Sequence, residues 1–222
     1  MKHVKICCIQ DRDELETAVR HGASAVGLVS AMPSGPGVLE DEEIAEVIAR
    51  VPESVASFLL TSETDPDRIV EQARRLGPDF LQLVDRVPTD AYRRLRADLP
   101  GTGLVQVIHV TGDASVEEAR RAAPEVDMLL LDSGRPDARV KELGGTGRTH
   151  DWALSRTIRE RVDVPVWLAG GLRPDNVAEA VAAVEPHGVD VCSGLRPEGS
   201  LDEAALARFV AAARGRGPDA GP

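Results

Sequence analysis

Short apolar segments rich in β-branched residues alternate with amphipathic segments rich in alanine, glutamate and arginine along the whole chain. This alternation is typical of βαβ units around a parallel sheet. Eight pairs are present, and no connection between them is long and structureless. The candidate strands lie at 3–9, 25–30, 54–60, 79–84, 104–110, 126–131, 164–169 and 188–194. The candidate helices lie at 11–22, 41–50, 66–76, 89–98, 115–122, 151–161, 174–184 and 202–213.

Eight strand–helix pairs within 222 residues predict an α/β protein, a single (β/α)8 TIM barrel, whose usual size begins near ~200 residues. We expect the barrel over residues 1–214 and a flexible tail over 215–222. A doubly wound sheet is the alternative fold. The first strand–helix turn, CIQDRDE, lacks the GxGxxG pattern of a dinucleotide site, however. Barrel enzymes carry their chemistry at the C-terminal ends of the strands.

The net charge of −11 opposes binding to nucleic acid or to an anionic membrane surface. No apolar run reaches the ~18 residues of a membrane span, and the N-terminal residues lack a signal-peptide apolar region. The three cysteines show no CxxC and no metal-ligand spacing. Of the five histidines only His109 lies near a strand end, and we interpret it as a core or loop residue. These features predict a cytoplasmic protein in a reducing compartment, with no metal.

The first strand contains VKICC, in which Lys5 and Cys7 share one face and Ile6 and Cys8 share the other. An ammonium buried beneath apolar helices would be costly, whereas the barrel interior can offer it a carboxylate. We therefore expect Lys5 to face the interior, with Asp190 of the last strand as its partner. This places Cys7 at the barrel mouth and Cys8 under the helices, where Cys8 is expected to behave as a small buried hydrophobic residue.

Polar and glycine residues follow three other strands. Asp132 ends the apolar run MLLLD, where it would either face the active end of the barrel or cap a turn. A flexible loop suited to a lid or an anion cradle follows it, with glycines at Gly144, Gly145 and Gly147. Backbone amides after strands seven and eight fit the phosphate site that recurs in these barrels. The residues concerned are Gly170, Gly171, Ser193 and Gly194.

Six motifs occur in an order that matches one known family. They are KIC at 5–7, GASAVGLV at 22–29, LLLD at 129–132, GGTGRTHDW at 144–152, LAGGLRPDNV at 168–177 and VDVCSG at 189–194. Together they closely resemble the phosphoribosylanthranilate isomerase family of tryptophan biosynthesis, from residue 4 to about residue 210. The resemblance implies a cofactor-free Amadori rearrangement of an N-(5-phosphoribosyl)amine to a 1-amino-1-deoxyribulose 5-phosphate. The only partner implied is the small phosphorylated sugar substrate, with the protein a monomer or a homodimer.

The resemblance also implies two catalytic roles. Cys7 stands where the family has its general base, and Asp132 where it has its general acid. The acid must hold a proton at neutral pH and the base must supply a thiolate, so we expect a raised pKa for Asp132 and a lowered pKa for Cys7. Lys5 is one source of positive field near the thiol, although Asp190 would weaken it.

The chain departs from the family on the side of the aromatic amine. Cys8 stands where the family has glycine, and Val84 where it has a histidine on strand four. The family's arginine for the anthranilate carboxylate aligns near Gly37, and no lysine or arginine occurs between His21 and Arg50.

Three hypotheses remain open. The chain is the isomerase, with Arg135, Arg139 or Arg148 binding the carboxylate; or it isomerises a different phosphoribosylamine; or it is a noncatalytic barrel that binds sugar phosphates. Retention of both Cys7 and Asp132 favours catalysis, because a binding protein needs neither.

Overall fold

The protein, a computed structural model, is described here over residues 2–33, 35–134 and 149–215. Its strands are His3–Ile6 (β1), Ala25–Val29 (β2), Ala56–Thr61 (β3), Phe80–Leu83 (β4), Gly103–His109 (β5), Met128–Asp132 (β6), Val166–Leu168 (β7) and Gly188–Val191 (β8). Its helices are Arg12–Arg20 (α1), Asp41–Ile48 (α2), Pro66–Leu76 (α3), Thr89–Asp98 (α4), Ala114–Ala122 (α5), Trp152–Glu160 (α6), Val177–Val184 (α7) and Glu203–Ala213 (α8). Short 3-10 turns occupy Ala123–Glu125 and Ser193–Leu195.

The strands form a closed parallel barrel in the order β1-β2-β3-β4-β5-β6-β7-β8, with β8 paired to β1. The predicted (β/α)8 barrel is therefore confirmed. The doubly wound alternative is wrong, because the closed sheet has no reversal of strand order. Since all strands run the same way, their C-terminal ends meet at one mouth of the barrel.

Local sequence signals account for the helices, as α3 illustrates. The side chain of Asp65 accepts a hydrogen bond from the Asp67 N–H at the helix start, and Pro66 occupies a first-turn position that needs no N–H donor. Gly77, at φ 64°, ends the helix in the left-handed conformation. The buried face consists of Ile69, Val70, Ala73 and Leu76, whose spacing follows the helical period.

Two apolar layers fill the molecule. The larger layer lies between the sheet and the helices, and the smaller one fills the barrel interior. In the interior, Phe58 stacks on Phe80 at 4.7 Å between ring centroids and meets Trp167 edge-on at 5.9 Å. The interior is thus a packed core.

The first strand is shorter than the sequence predicted. It ends at Ile6 instead of continuing to residue 9, because Cys8 adopts φ 62°, outside the extended region. Similarly, β8 ends at Val191, before the turn at Ser193–Leu195. Of the expected tail, residues 216–222 lie outside the described residues. No helix within the described residues is long and apolar enough to cross a membrane.

Candidate active site

The side chains of Cys7 and Asp132 lie at the mouth of the barrel, on different strands. Cys7 directly follows β1, and its N–H donates to the Val191 carbonyl at 2.8 Å. Asp132 is the last residue of β6. Cys7 is 5% exposed and Asp132 is 9% exposed. Because β1 and β6 are three strands apart in the closed order, the thiol and the carboxyl approach the mouth from different sides.

Lys5 is fully buried in the barrel interior, and its Nζ lies 2.9 Å from Oδ1 of Asp190. The two residues are also register partners in the β1–β8 ladder. The predicted ion pair is therefore confirmed. The ammonium additionally lies 5.3 Å from the centroid of the Phe58 ring, a cation–π geometry.

The thiol of Cys7 is not activated in the ligand-free protein. Burial raises the pKa of Cys7 to about 11, and the nearby ammonium of Lys5 only partly opposes this effect. Asp190 acts in the same direction as burial, because its negative charge disfavours a thiolate. The expectation of a lowered pKa for Cys7 is wrong for this state, since desolvation outweighs a lysine whose charge is already paired.

The surroundings of the Asp132 carboxyl favour its protonated form. Burial raises the pKa of Asp132, and Asp190 adds to the increase, while the charges of His109 and Lys5 oppose it. Its Oδ1 accepts a hydrogen bond from the backbone N–H of Ser133 at 2.7 Å. The direction of the shift agrees with the expectation from the sequence.

The loops after β7 and β8 pack directly on one another. A Cβ on Gly194 would lie 1.9 Å from the carbonyl oxygen of Leu172, so only glycine fits there. Gly170 and Gly171 have φ of 80° and 63°, which favours glycine. In the 3-10 turn the first hydrogen bond runs from the Leu195 N–H to the Cys192 carbonyl at 3.1 Å. The N–H groups of Ser193 and Gly194 precede that bond, so no carbonyl of the turn accepts them.

Cys8 is not under the helices, and it is not a simple buried thiol. It forms a disulfide with Cys192, 184 residues away in the chain, with 5.9 Å between the Cα atoms. The prediction failed because alternation of faces holds only while the chain is extended, and φ 62° turns Cys8 toward the mouth. The expected reduced state of Cys8 and Cys192 is likewise wrong in this structure. Cys7 is the free cysteine.

A buried ion pair between Arg196 and Glu14 supports this turn, and sequence reasoning missed it. Nη1 of Arg196 lies 2.5 Å from Oε1 of Glu14, and Nη2 donates to the Cys8 carbonyl at 2.7 Å. Glu14 also accepts the backbone N–H of Leu201 at 3.0 Å. The pair therefore connects α1, the Cys8 turn and the loop after the 3-10 turn. The spacing of about 180 residues gives no local signal in the sequence.

The loop between β2 and α2 lies against Cys8. A Cβ on Gly37 would be 2.7 Å from the Cβ of Cys8, and Gly37 has φ 75°. Hence Gly37, near which the sequence places the family's carboxylate-binding arginine, has no room for a side chain in this fold.

A polar pocket of about 380 Å³ lies beside this loop. Both of its arginines are paired with carboxylates: Arg68 lies 3.5 Å from Glu63, and Arg75 contacts Asp41. The remaining lining residues are Ser30, Ala31, Thr61, Ser62, Glu71 and Gln72. The other candidates on this side of the site, Gly144, Gly145, Gly147, Arg135, Arg139 and Arg148, lie outside the described residues.

His109, which the sequence predicted to be a core or loop residue, is buried at the C-terminal end of β5. It ends β5 beside Asp132 and is 5% exposed. Its Nε2 lies 3.0 Å from the carbonyl oxygen of Val84, the residue that aligns with the family's strand-four histidine. In the sequence, His109 is marked by its position as a single histidine at the end of a predicted strand. Separately, no group of three or more metal-ligating side chains occurs within 2–33, 35–134 and 149–215.

Comparison with known proteins gives one consistent result. The family model described as "N-(5'phosphoribosyl)anthranilate (PRA) isomerase" matches residues 4–212. The N-(5'-phosphoribosyl)anthranilate isomerase of Haloferax volcanii is 41% identical over 216 residues, covering 96% of this chain and 94% of that protein.

Two solved structures share the fold. The phosphoribosyl anthranilate isomerase of Thermotoga maritima superimposes with a TM-score of 0.83 at 28% identity, covering 97% of this chain and 100% of that one. A crystal structure of the isomerase in complex with reduced 1-(o-carboxyphenylamino)-1-deoxyribulose 5-phosphate gives a TM-score of 0.81 at 26% identity, with the same coverage.

Proposed function

This chain belongs to the N-(5'-phosphoribosyl)anthranilate isomerase family, and we propose that it performs the family's reaction with Cys7 as general base and Asp132 as general acid. The reaction opens the ribose ring of N-(5'-phosphoribosyl)anthranilate and yields the corresponding 1-deoxyribulose 5-phosphate. The observation that carries the assignment is the placement of a buried thiol and a buried carboxyl at the ends of β1 and β6, on different sides of one mouth.

Asp132 acts in the first step. Its raised pKa favours the protonated carboxyl, the form that donates a proton to the ring oxygen as the bond between that oxygen and the anomeric carbon breaks. The ring-opened substrate is a Schiff base. A positioned acid of this kind contributes about 10²–10⁴-fold to the rate.

Cys7 acts in the second step, taking the proton from the sugar carbon next to the Schiff base. A pKa of about 11 means that forming the thiolate at pH 7 costs ~5.5 kcal/mol, at ~1.36 kcal/mol for each pH unit. The positive charge of the protonated Schiff base arises beside the thiol and favours the thiolate. The base is therefore activated by the intermediate on which it acts.

The phosphate is assigned to the loops after β7 and β8. The amides of Gly171, Ser193 and Gly194 supply donors for the anion, and the close packing of Gly194 on Leu172 fixes the two loops relative to each other. Gly170 gives the first loop its turn. We assign Gly144, Gly145 and Gly147 to the loop that covers the substrate. The buried ion pair of Lys5 and Asp190 lies next to Cys7 in the barrel interior, and the charge of Lys5 favours the thiolate.

The carboxylate of the anthranilate moiety needs a cation from outside the β2–α2 loop. We assign it to Arg148, with Arg135 and Arg139 as alternatives, because an arginine binds a carboxylate through two parallel hydrogen bonds. Substitution of the binding arginine by glutamine should raise KM for the substrate by about tenfold or more. Binding of ribose 5-phosphate, which has no aromatic carboxylate, should not change. Arg68→Gln is the matched control.

The central experiment is an assay of purified protein with N-(5'-phosphoribosyl)anthranilate, followed by loss of the substrate's fluorescence. We expect turnover by the wild type, and no turnover by Cys7→Ser. Folded protein without turnover would leave two functions, an isomerase of a different phosphoribosylamine or a sugar-phosphate-binding barrel. We further propose a cytoplasmic monomer or homodimer whose barrel domain ends near residue 214.

A further inference from the structure

The disulfide between Cys8 and Cys192 connects two parts of the proposed active site. Cys8 directly follows Cys7, the proposed base, and Cys192 directly precedes the 3-10 turn at Ser193–Leu195. That turn begins with the amides that we assign to the phosphate of the substrate. The cross-link therefore joins the base and the phosphate site, at the end of the barrel where β8 pairs with β1.

The disulfide is partly exposed on the side of Cys192. Cys192 is half-buried, whereas Cys8 is 4% exposed, so a small thiolate from solution can approach the bond from Cys192. In the cytoplasm, the location proposed above, disulfides are usually transient and redox-sensing because the compartment is reducing. Both features favour a disulfide that exchanges with other thiols over a permanent cross-link.

The third cysteine does not compete for this bond. Burial raises the pKa of Cys7 to about 11, and exchange requires a thiolate. At pH 7 only ~1 in 10⁴ of the Cys7 side chains is ionised. Reduction of the disulfide therefore needs an external thiol, and Cys7 stays free in both redox states.

The cross-link holds Cys8 in a turn that its own side chain disfavours. Cys8 has φ 62°, which costs a non-glycine residue about 1–2 kcal/mol. In this turn the Cys8 carbonyl accepts a hydrogen bond from Nη2 of Arg196 at 2.7 Å. Without the disulfide, Cys8 can relax toward the extended conformation, and its carbonyl then turns away from Arg196.

Arg196 connects the Cys8 turn to the phosphate amides. Its backbone N–H donates to the Ser193 carbonyl at 3.1 Å and closes the 3-10 turn. Its guanidinium has two partners, the Cys8 carbonyl and the carboxylate of Glu14, at 2.5 Å from Nη1. When the first partner is lost, the turn is held on one side only. The amides of Ser193 and Gly194 belong to this turn, so their direction toward the phosphate changes with it.

We propose that the Cys8–Cys192 disulfide is a thiol–disulfide exchange site, and that its reduction by a dithiol releases the Cys8 turn and weakens the binding of phosphorylated sugars. The inference rests on the proposed phosphate site after β8. A thiolate of the dithiol attacks the sulfur of Cys192, the bond between the two protein sulfurs breaks, and its electron pair leaves on the sulfur of Cys8, which takes up a proton. The second thiol of the reductant then attacks the mixed disulfide, forms a cyclic disulfide and releases Cys192, which also takes up a proton. The protein gains two electrons and two protons in total.

Binding measurements test the proposal without turnover. The Kd of ribose 5-phosphate, measured by calorimetry, should be about tenfold higher in wild type reduced with dithiothreitol than in the oxidised protein. Cys192→Ala has no cross-link and should bind as the reduced wild type does, with or without the reductant. Equal affinity in the two redox states of the wild type overturns the proposal. So does loss of the circular dichroism of the folded protein on reduction, because the bond would then be a structural cross-link.

Glycine at position 8 tests the route through the turn. Glycine adopts φ 62° without the cost that cysteine has there, so Cys8→Gly/Cys192→Ala should keep the turn although it lacks the disulfide. Its Kd for ribose 5-phosphate should be close to that of the oxidised wild type, and dithiothreitol should not change it. A purely structural cross-link would leave this variant as weak a binder as Cys192→Ala, and that result overturns the proposal.

Linkage between the two equilibria supplies a reciprocal measurement. If the disulfide raises the affinity for ribose 5-phosphate tenfold, then saturating ribose 5-phosphate must favour the disulfide over the dithiol form tenfold. In buffers of reduced and oxidised dithiothreitol, the midpoint of reduction should therefore become ~30 mV more negative. Alkylation followed by mass spectrometry measures the reduced fraction of Cys8 and Cys192. A midpoint that ribose 5-phosphate leaves unchanged contradicts the proposal.

Failure of the exchange site and failure of the proposed function give different results. A redox effect on ribose 5-phosphate binding, without turnover of N-(5'-phosphoribosyl)anthranilate, refutes the proposed function and supports the exchange site. Turnover together with equal affinities in both redox states supports the function and refutes the exchange site.

Discussion

Nζ of Lys5 lies 2.9 Å from Oδ1 of Asp190, in a barrel interior where the lysine has no exposed surface. Burial alone would lower the pKa of Lys5, but the charges of Asp190 and Cys7 outweigh burial and raise it. The ion pair with Asp190 thus keeps Lys5 charged although it is buried beside the thiol of Cys7. It also explains why that cation activates Cys7 so little.

Removing one charge of the Lys5–Asp190 ion pair should destabilise the folded protein. Asp190→Asn leaves a buried ammonium without its carboxylate and should reduce the free energy of unfolding by about 3–5 kcal/mol. The double variant Lys5→Met/Asp190→Asn should recover a large part of the loss, because no unpaired charge remains. Urea unfolding of the wild type and both variants measures these differences. A loss below about 1 kcal/mol in the single variant would show that the pair is not needed.

The direction of the pKa shift of Lys5 determines how the stabilisation by the Lys5–Asp190 pair depends on pH. The pKa of Lys5 is raised above its ordinary value of 10.5, so between pH 6 and 9 the lysine is fully charged and the contribution of the pair is fully present. The contribution disappears as the pH rises through the higher pKa of the folded state. Stability of the wild type relative to Lys5→Met/Asp190→Asn should therefore be constant from pH 6 to 9.

Cys7 should react slowly with alkylating reagents at neutral pH. With a pKa of about 11, its rate of alkylation should increase about tenfold per pH unit between pH 7 and 10. Cys8 and Cys192 are oxidised, so without a reductant mass spectrometry should find one labelled cysteine. Ribose 5-phosphate should protect it. Labelling that begins at Cys8, or a rate that is flat with pH, would contradict the assignment of the free thiol.

Asp132→Asn should abolish most of the activity and leave binding intact. The amide keeps the shape of the carboxyl but cannot donate the proton that opens the ring, so kcat should fall by at least ~10²-fold while KM changes little. Steady-state kinetics across a range of pH measures both constants. Wild-type kcat in the variant would exclude Asp132 as the acid.

Much of this architecture could be predicted from the sequence, and the exceptions share a physical cause. Alternating segments predicted the barrel, and the cost of an unpaired ammonium predicted the pair of Lys5 and Asp190. Cys8 escaped prediction because one backbone angle, φ 62°, invalidates the alternation of faces. The bonds from Cys8 to Cys192 and from Glu14 to Arg196 join residues more than 180 positions apart. Only closure of β8 on β1 brings them together.

The phosphate site should depend on the absence of a side chain at position 194. In Gly194→Ala the new Cβ would lie 1.9 Å from the Leu172 carbonyl oxygen, so the two loops must separate and the amide donors lose their common direction. Binding of ribose 5-phosphate should weaken by about tenfold or more, as measured by calorimetry. Gly101→Ala is the matched control, because nothing lies within 4 Å of its Cβ position. Equal affinity in both variants would place the phosphate elsewhere.

The disulfide and the backbone of Cys8 make opposing contributions to stability. Closing a loop of 184 residues should stabilise the fold by about 2–4 kcal/mol, and Cys192→Ala should remove this amount. A non-glycine residue at φ 62° costs about 1–2 kcal/mol. The double variant Cys8→Gly/Cys192→Ala should therefore be more stable than Cys192→Ala by about that amount, although it has no more cross-links. Denaturant unfolding under non-reducing conditions compares the two variants, with reduced wild type as a reference that retains both sulfur atoms. If the glycine variant is the less stable of the two, then the hydrogen bond from Arg196 to the Cys8 carbonyl, at 2.7 Å, already compensates for the strained turn.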